Sequence, residues 1–171
     1  MRGRYLTIML NLNQKIFIIH SVYFPSLTNK VDYVVDITNL ISKLELNLSN
    51  FPHAYHILAG DYNFEIRHEV KEFVLFKDLL DKYNLFCCDG LNTSSLDYTY
   101  KHEGLRHQSW IDHFFLSENL KSSVSSFDII DSVLNCSDHF PISCLLNIDV
   151  CLVFIRLLKS MYSESAGTRL I

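Results

Sequence analysis

Apolar residues along the 171-residue chain recur with two different periods, and the change of period marks out its elements. Residues 5–10 and 15–23 are two runs rich in β-branched and aromatic side chains, separated by Asn11-Leu12-Asn13-Gln14. Such runs around a short polar interval predict a β-hairpin, and Phe24-Pro25-Ser26 stops the second strand. Over residues 31–48 the apolar positions are Val31, Val34, Val35, Ile37, Leu40, Ile41, Leu44 and Leu48. That near-helical spacing predicts an amphipathic helix with Lys30, Asp32, Asp36, Lys43 and Asn47 outside. Phe51-Pro52 closes it, and residues 55–59 follow as a short apolar strand ending at Gly60. A second helix fits residues 70–83, with Phe73, Phe76, Leu79 and Leu80 inward. Residues 97–100, 110–116, 127–133 and 141–148 read as short strands joined by polar loops. Residues 151–158 fit a last strand or a helix, and 160–171 reads as a loose end.

Strands alternating with helices early, then strands joined by loops, argue for a mixed α/β domain. The length suits one domain, and 49% apolar with 20% charged residues is an ordinary globular composition. Fifteen Lys and Arg against nineteen Asp and Glu give a net charge of −4. A nucleic-acid contact would therefore rest on a local patch or a metal ion, not on bulk attraction. Five Cys, an odd number without a Cys-x-x-Cys pair, argue against a disulfide framework or a zinc knuckle and for a reducing compartment. The apolar run at the N-terminus ends at Asn11 with no cleavage site after it, which argues against secretion. Residues 145–158 carry Asp149 and Arg156, too charged and too short for a bilayer span. The expected location is intracellular, in nucleus or cytoplasm.

Chemistry in open α/β sheets collects at the carboxyl ends of strands, and four such ends here carry polar side chains. They are His20-Ser21-Val22-Tyr23-Phe24-Pro25, Gly60-Asp61-Tyr62-Asn63, Ser109-Trp110-Ile111-Asp112-His113 and Ser137-Asp138-His139-Phe140-Pro141-Ile142. Asp61 and Asn63, two apart after a glycine, either address one ligand together or form an Asx turn. Asp112 lies among apolar neighbours and needs a partner, because an unpaired buried carboxylate costs several kcal/mol. His139 is one candidate partner and His113 the competing one. His53, His56 and His68 read as surface or packing residues, and Cys87-Cys88 as a buried strand or loop pair.

Taken in order over about residues 5–148, these segments resemble the endonuclease/exonuclease/phosphatase superfamily. Asp97-Tyr98-Thr99-Tyr100 leading into Ser109-Trp110-Ile111-Asp112-His113 is similar to the endonuclease domains of non-LTR retrotransposons. The resemblance implies a DNA-nicking phosphodiesterase that uses Mg²⁺ or Mn²⁺. It implies that Tyr23 faces the scissile phosphate and that Asp61 orients or deprotonates the attacking water. Asn63 would stabilise the transition state, and Asp138 would serve the metal. His139, oriented by Asp112, would bind a phosphate oxygen. In the loop from Lys101 to His107, Lys101 and Arg106 would touch DNA, with Trp110 also on the substrate side.

The superfamily places an Asn and a Glu metal-ligand motif before the segment matched by Val22-Tyr23-Phe24-Pro25. Only 22 residues precede Tyr23, Asn11 and Asn13 fall in the turn, and no acidic residue occurs before Asp32. The expected fold is thus an incomplete four-layer α/β sandwich, two packed mixed sheets flanked by helices, without its first strand–helix unit. Residues 1–148 would be the C-terminal portion of that domain and 149–171 a tail of unknown role. Metal affinity would be weakened by the missing Glu, with activity doubtful unless the missing part or a partner chain supplies it. The other readings are a phosphatase or other phosphoesterase of the same superfamily, and a non-catalytic binding remnant.

Overall fold

The structure, a computed structural model, describes residues 4–26, 30–67, 70–102, 104–148 and 151–157. Strands β1 (Tyr5–Leu12) and β2 (Lys15–Tyr23) form an antiparallel hairpin in register from Tyr5↔Val22 to Leu12↔Lys15. The turn is tighter than the sequence suggests, because Asn13 and Gln14 both take positive φ, 49° and 64°. That is the backbone a two-residue hairpin loop favours. Helix α1 (Lys30–Asn50) crosses over to strand β3 (Tyr55–Asp61), which pairs parallel to β2. A parallel pair needs such a crossover.

The inward stripe of α1 is Tyr33, Ile37, Leu40, Leu44 and Leu48, while Val34 and Val35 are exposed. The tyrosine, whose ring buries more area than a valine, sets the helix rotation. The side chains of Lys30, Val31 and Asp32 lie outside the described residues, as does His68. Helix α2 (Lys71–Lys82) buries Phe76, Leu79 and Leu80, and β4 (Leu85–Cys87) follows it. Next come β5 (Tyr100–His102), β6 (His107–Ser109), β7 (Asp112–Ser117), β8 (Val124–Ile129), β9 (Ile142–Ile148) and β10 (Cys151–Leu157).

These strands make a five-stranded sheet ordered β1-β2-β3-β7-β4, a three-stranded sheet ordered β10-β9-β8, and the small β5–β6 hairpin. One core, with Val22, Leu58, Tyr62 and Phe115, lies between the five-stranded sheet and the helices. The other, with Phe17, Ala59, Phe114 and Leu116 against Phe127, Ile142 and Leu146, lies between the two sheets. The described elements thus form three layers: helices, sheet and sheet. Strand β8 stops at Ile129, its last rung facing Ile142, and Val133 and Leu134 stand in solvent. Residue 141 is a proline with no N–H to extend the ladder, which ends the strand short of the expected 127–133. The strand expected over residues 97–100 likewise begins only at Tyr100, as β5. No helix among the described residues is long and apolar enough to cross a membrane.

A buried polar chain stitches β1, β2 and β3 together. His56 Nε2 donates to Phe51 O at 2.9 Å, so His56 Nδ1 accepts from His20 Nε2 at 3.0 Å. His20 Nδ1 in turn accepts from the Tyr5 hydroxyl at 2.8 Å. One set of neutral tautomers satisfies all three bonds. Burial pushes His20 down to about 3 from 6.5, with the charge of His56 as the second cause. Burial also lowers His56. Between pH 6.5 and about 3 the unfolded chain therefore binds more protons at these rings than the folded one. Their contribution to stability is full above pH 6.5 and is lost as pH falls through that window. Urea unfolding between pH 6.5 and 5 should show stability falling by up to about 1.4 kcal/mol per pH unit for one such proton. His20→Gln should flatten that slope, and an unchanged slope in the variant would refute the assignment.

Candidate active site

Strand register alone sets three polar side chains in a row. Tyr23 on β2 is opposite Asp61 on β3, and Asp61 is opposite Asp112 on β7. Partners across a sheet share a face, here the one turned toward the three-stranded sheet, since Ala59 and Phe114 two residues on belong to that core. Gly60, one rung back, makes the row possible. A Cβ there would lie 1.8 Å from the Val22 carbonyl oxygen, and its φ is +156°.

His139 meets the row from the loop that leads into β9. Its Nδ1 donates to Asp112 Oδ2 at 2.8 Å, and its ring packs at 5.0 Å from that of Tyr100. Asp61, Asp112 and His139 are only 6%, 9% and 8% exposed, and one ligand atom from each lies within 4.8 Å of the others. His113, the competing partner for Asp112, sits on the opposite face. Its Nδ1 contacts Asp89 Oδ2 at 2.8 Å and its Nε2 donates to Phe64 O at 2.9 Å.

Further bonds fix the geometry. The buried Thr99 hydroxyl accepts from the backbone N–H of both Ile111 and Asp112, each at 3.0 Å. Thr99 O accepts from Phe140 N at 2.7 Å, and Lys101 N donates to Asp138 O at 2.8 Å, so the hairpin and the His139 loop run together. Asn135 Nδ2 donates to His139 O at 2.9 Å. Sequence reasoning noted Thr99 within the 97–100 stretch but gave neither it nor Asn135 a role, because which backbone groups a hydroxyl or amide meets is set only by tertiary contacts. It also missed Arg4, whose guanidinium lies 5.3 Å from the centroid of the Tyr23 ring.

The remaining expected residues fall in different places. Asn63 has φ 53° and its N–H donates to Asp61 Oδ1 at 2.9 Å, which is the Asx turn. One amide hydrogen of its side chain goes to Phe24 O at 2.8 Å. Asp138 is exposed and lies outside the tight group; with Lys101, His102, Asp131 and Asn135 it lines an adjacent open groove of about 610 Å³. Arg106 is exposed at the hairpin tip. Trp110 is 4% exposed, stacked with Phe127, and its indole donates to Asp112 O at 3.0 Å. It braces the site from within the core and has no open ring face for a substrate.

Two buried carboxylates this close repel unless a cation or a proton donor lies between them. Their hard oxygens suit Mg²⁺ or Mn²⁺, which bind through one or two carboxylates plus substrate oxygens. No protein-family model matches the chain, and no curated protein matches it. Solved structures do. The endonuclease domain of TRAS1, a telomere-specific non-LTR retrotransposon, superposes with TM-score 0.68 at 17% identity over 85% of this chain and 64% of that one. The AP endonuclease LMAP from Leishmania major gives TM-score 0.68 at 17% identity, over 85% and 55%. An endonuclease/exonuclease/phosphatase family protein from Leptotrichia buccalis C-1013-b gives 0.62 at 20%, over 84% and 53%. The chain has the endonuclease/exonuclease/phosphatase fold. It spans between about half and two thirds of the length of these structures. Within that fold Asp61, Asp112 and His139 stand where the two sheets open at one end.

Two substitutions probe this arrangement. Gly60→Ala should destabilise the chain by roughly 3 kcal/mol or more, since backbone and not a side chain blocks the new methyl. Thr99→Val should cost roughly 2 kcal/mol by orphaning two N–H groups. Chemical denaturation measures both, and a neutral Thr99→Val would mean its hydroxyl does not hold Asp112.

Proposed function

We propose that the chain carries part of a divalent-metal-dependent phosphodiesterase site that nicks DNA, as in a retrotransposon-type element. The observation that carries this reading is the buried Asp112–His139 bond with Asp61 beside it at the end of the sheet. A phosphodiester needs charge neutralisation, an aligned water and a fixed donor. In this reading Asp112 and Tyr100 fix the His139 ring, which donates to a phosphate oxygen. Asp61 takes a hydrogen from the attacking water, while Asn63 uses its second amide hydrogen to support the charge that develops. Tyr23 faces the phosphate. Asp138 would serve the Mg²⁺ or Mn²⁺ from the loop, with the Asp61 and Asp112 carboxylates adding negative charge; when bound, the cation neutralises the phosphate. Lys101 and Arg106 on the hairpin would meet the DNA backbone. The likeness to the TRAS1 endonuclease domain and to a Leishmania AP endonuclease supports DNA as the substrate. A DNA substrate would place the work in nucleus or cytoplasm.

The tight group contains two carboxylates and no glutamate, and the net charge is −4. Both favour weak metal and DNA affinity for the 171-residue chain, with a further ligand supplied by a partner chain. The expected result with supercoiled plasmid is slow nicking that depends on Mg²⁺ or Mn²⁺ and drops by about 10²–10⁴-fold in His139→Ala. Nicking indifferent to that substitution overturns the proposal. No nicking and no Mg²⁺-linked rise in melting temperature would make the chain a non-catalytic binding module. Phosphate release from inositol phosphates with plasmid untouched would make it a phosphatase of the same fold.

A further inference from the structure

The other face of the same strands carries a second cluster that phosphodiester chemistry does not use. The β4–β7 ladder ends at Cys87↔Phe115, and after the Cys88 N to Phe114 O bond the chain turns into a short 3-10 helix that begins at Asp89. That turn carries the Asp89 carboxylate to His113 Nδ1 at 2.8 Å. One ligand atom from each of Cys87, Asp89 and His113 lies within 4.8 Å of the others. The sequence hides this grouping, because the ligands converge through strand pairing and not through a Cys-x-x-Cys spacing.

Three further features single the cluster out. The His113 Nε2–H is committed to Phe64 O at 2.9 Å, which leaves Nδ1 as the ring atom facing Cys87 and Asp89. A carbonyl holding the far nitrogen is the usual support behind a metal-bound imidazole. Asp89 Oδ1 and the Tyr62 hydroxyl are buried with no hydrogen-bond partner. Tyr62 is fully buried with its ring 5.7 Å from His113. His113 is 1% exposed but Asp89 is 18% exposed, so the cluster has an entrance from solvent.

We propose that Cys87, Asp89 and His113 form a transition-metal site suited to Zn²⁺, separate from the Asp61, Asp112 and His139 site across the sheet. A thiolate, an imidazole and a carboxylate are the ligand types of tetrahedral zinc, and all three converge within 4.8 Å. Mg²⁺ is excluded by the sulfur and nitrogen donors. Binding exchanges protons for metal: the Cys87 thiol proton and the proton between His113 Nδ1 and Asp89 leave to solvent. The fourth position takes water or the freed Tyr62 hydroxyl.

Cobalt reports the site directly, because thiolate-bound tetrahedral Co²⁺ absorbs in the near ultraviolet and visible. Titrating the 171-residue chain with Co²⁺ should give a thiolate-to-metal band saturating at one equivalent and bleached by Zn²⁺. Cys87→Ser should abolish the band, and His113→Gln should weaken binding at least tenfold. Cys88→Ser and Asp61→Asn should each keep it, which separates the site from the neighbouring thiol and from the other metal candidate. Circular dichroism checks that each variant folds. A native chain without the band, or a band that survives Cys87→Ser, overturns the proposal.

Discussion

The bond between Asp112 and His139 joins the two sheets at the one end where both bring polar groups together. Asp112 belongs to the five-stranded sheet and His139 to the loop feeding the three-stranded one. Both are almost fully buried, so neither tolerates losing the other: an orphaned buried charge costs about 3–5 kcal/mol. That mutual need fixes how the β9 lead-in lies on β7. The β5–β6 hairpin follows, since Thr99 supports Asp112 through its hydroxyl and the His139 loop through its carbonyl. One buried hydrogen bond thus orders three chain segments that share no hydrophobic pattern.

Trp110 shows how packing and chemistry share the same residues. Its ring fills the space between the sheets against Phe127, while its N–H takes the Asp112 carbonyl that the sheet leaves over. A large apolar body with one polar handle is suited to a position where a core ends and a site begins. The cationic Arg67 lies over the ring at 5.1 Å from its centroid.

Much of this was legible in the sequence where local pattern decides. Ile37, Leu40, Leu44 and Leu48 fix the buried face of α1, and Tyr23 and Asp61 stand out at the carboxyl ends of β2 and β3, whereas Asp112, expected at a carboxyl end too, begins the antiparallel β7. Strand β4 was not legible as a strand, because three residues offer no alternation to read. The choice between His139 and His113 depended on the pleat: neighbours in a strand face opposite ways, so His113 cannot serve the row that holds Asp112. The buried place of Trp110 and the supporting roles of Thr99 and Asn135 came only with tertiary contacts. Asp138 read as part of the same tight motif as His139, yet the exposed backbone between them turns its carboxylate toward the groove.

The two clusters constrain each other through one pair of rungs, Gly60↔His113 and Asp61↔Asp112. A slip of one residue would exchange the faces. Asp112 would then point under the helices beside Asp89, carboxylate against carboxylate, and His113 would leave Asp89 for the sandwich. Gly60 blocks the neighbouring registers as well, since only a residue without Cβ can sit against the Val22 carbonyl. Burying Asp61 and Asp112 on one face of adjacent strands and His113 on the other is costly in isolation. Together they make every wrong register costlier still, which is how a sheet with so few polar rungs keeps its functional row aligned.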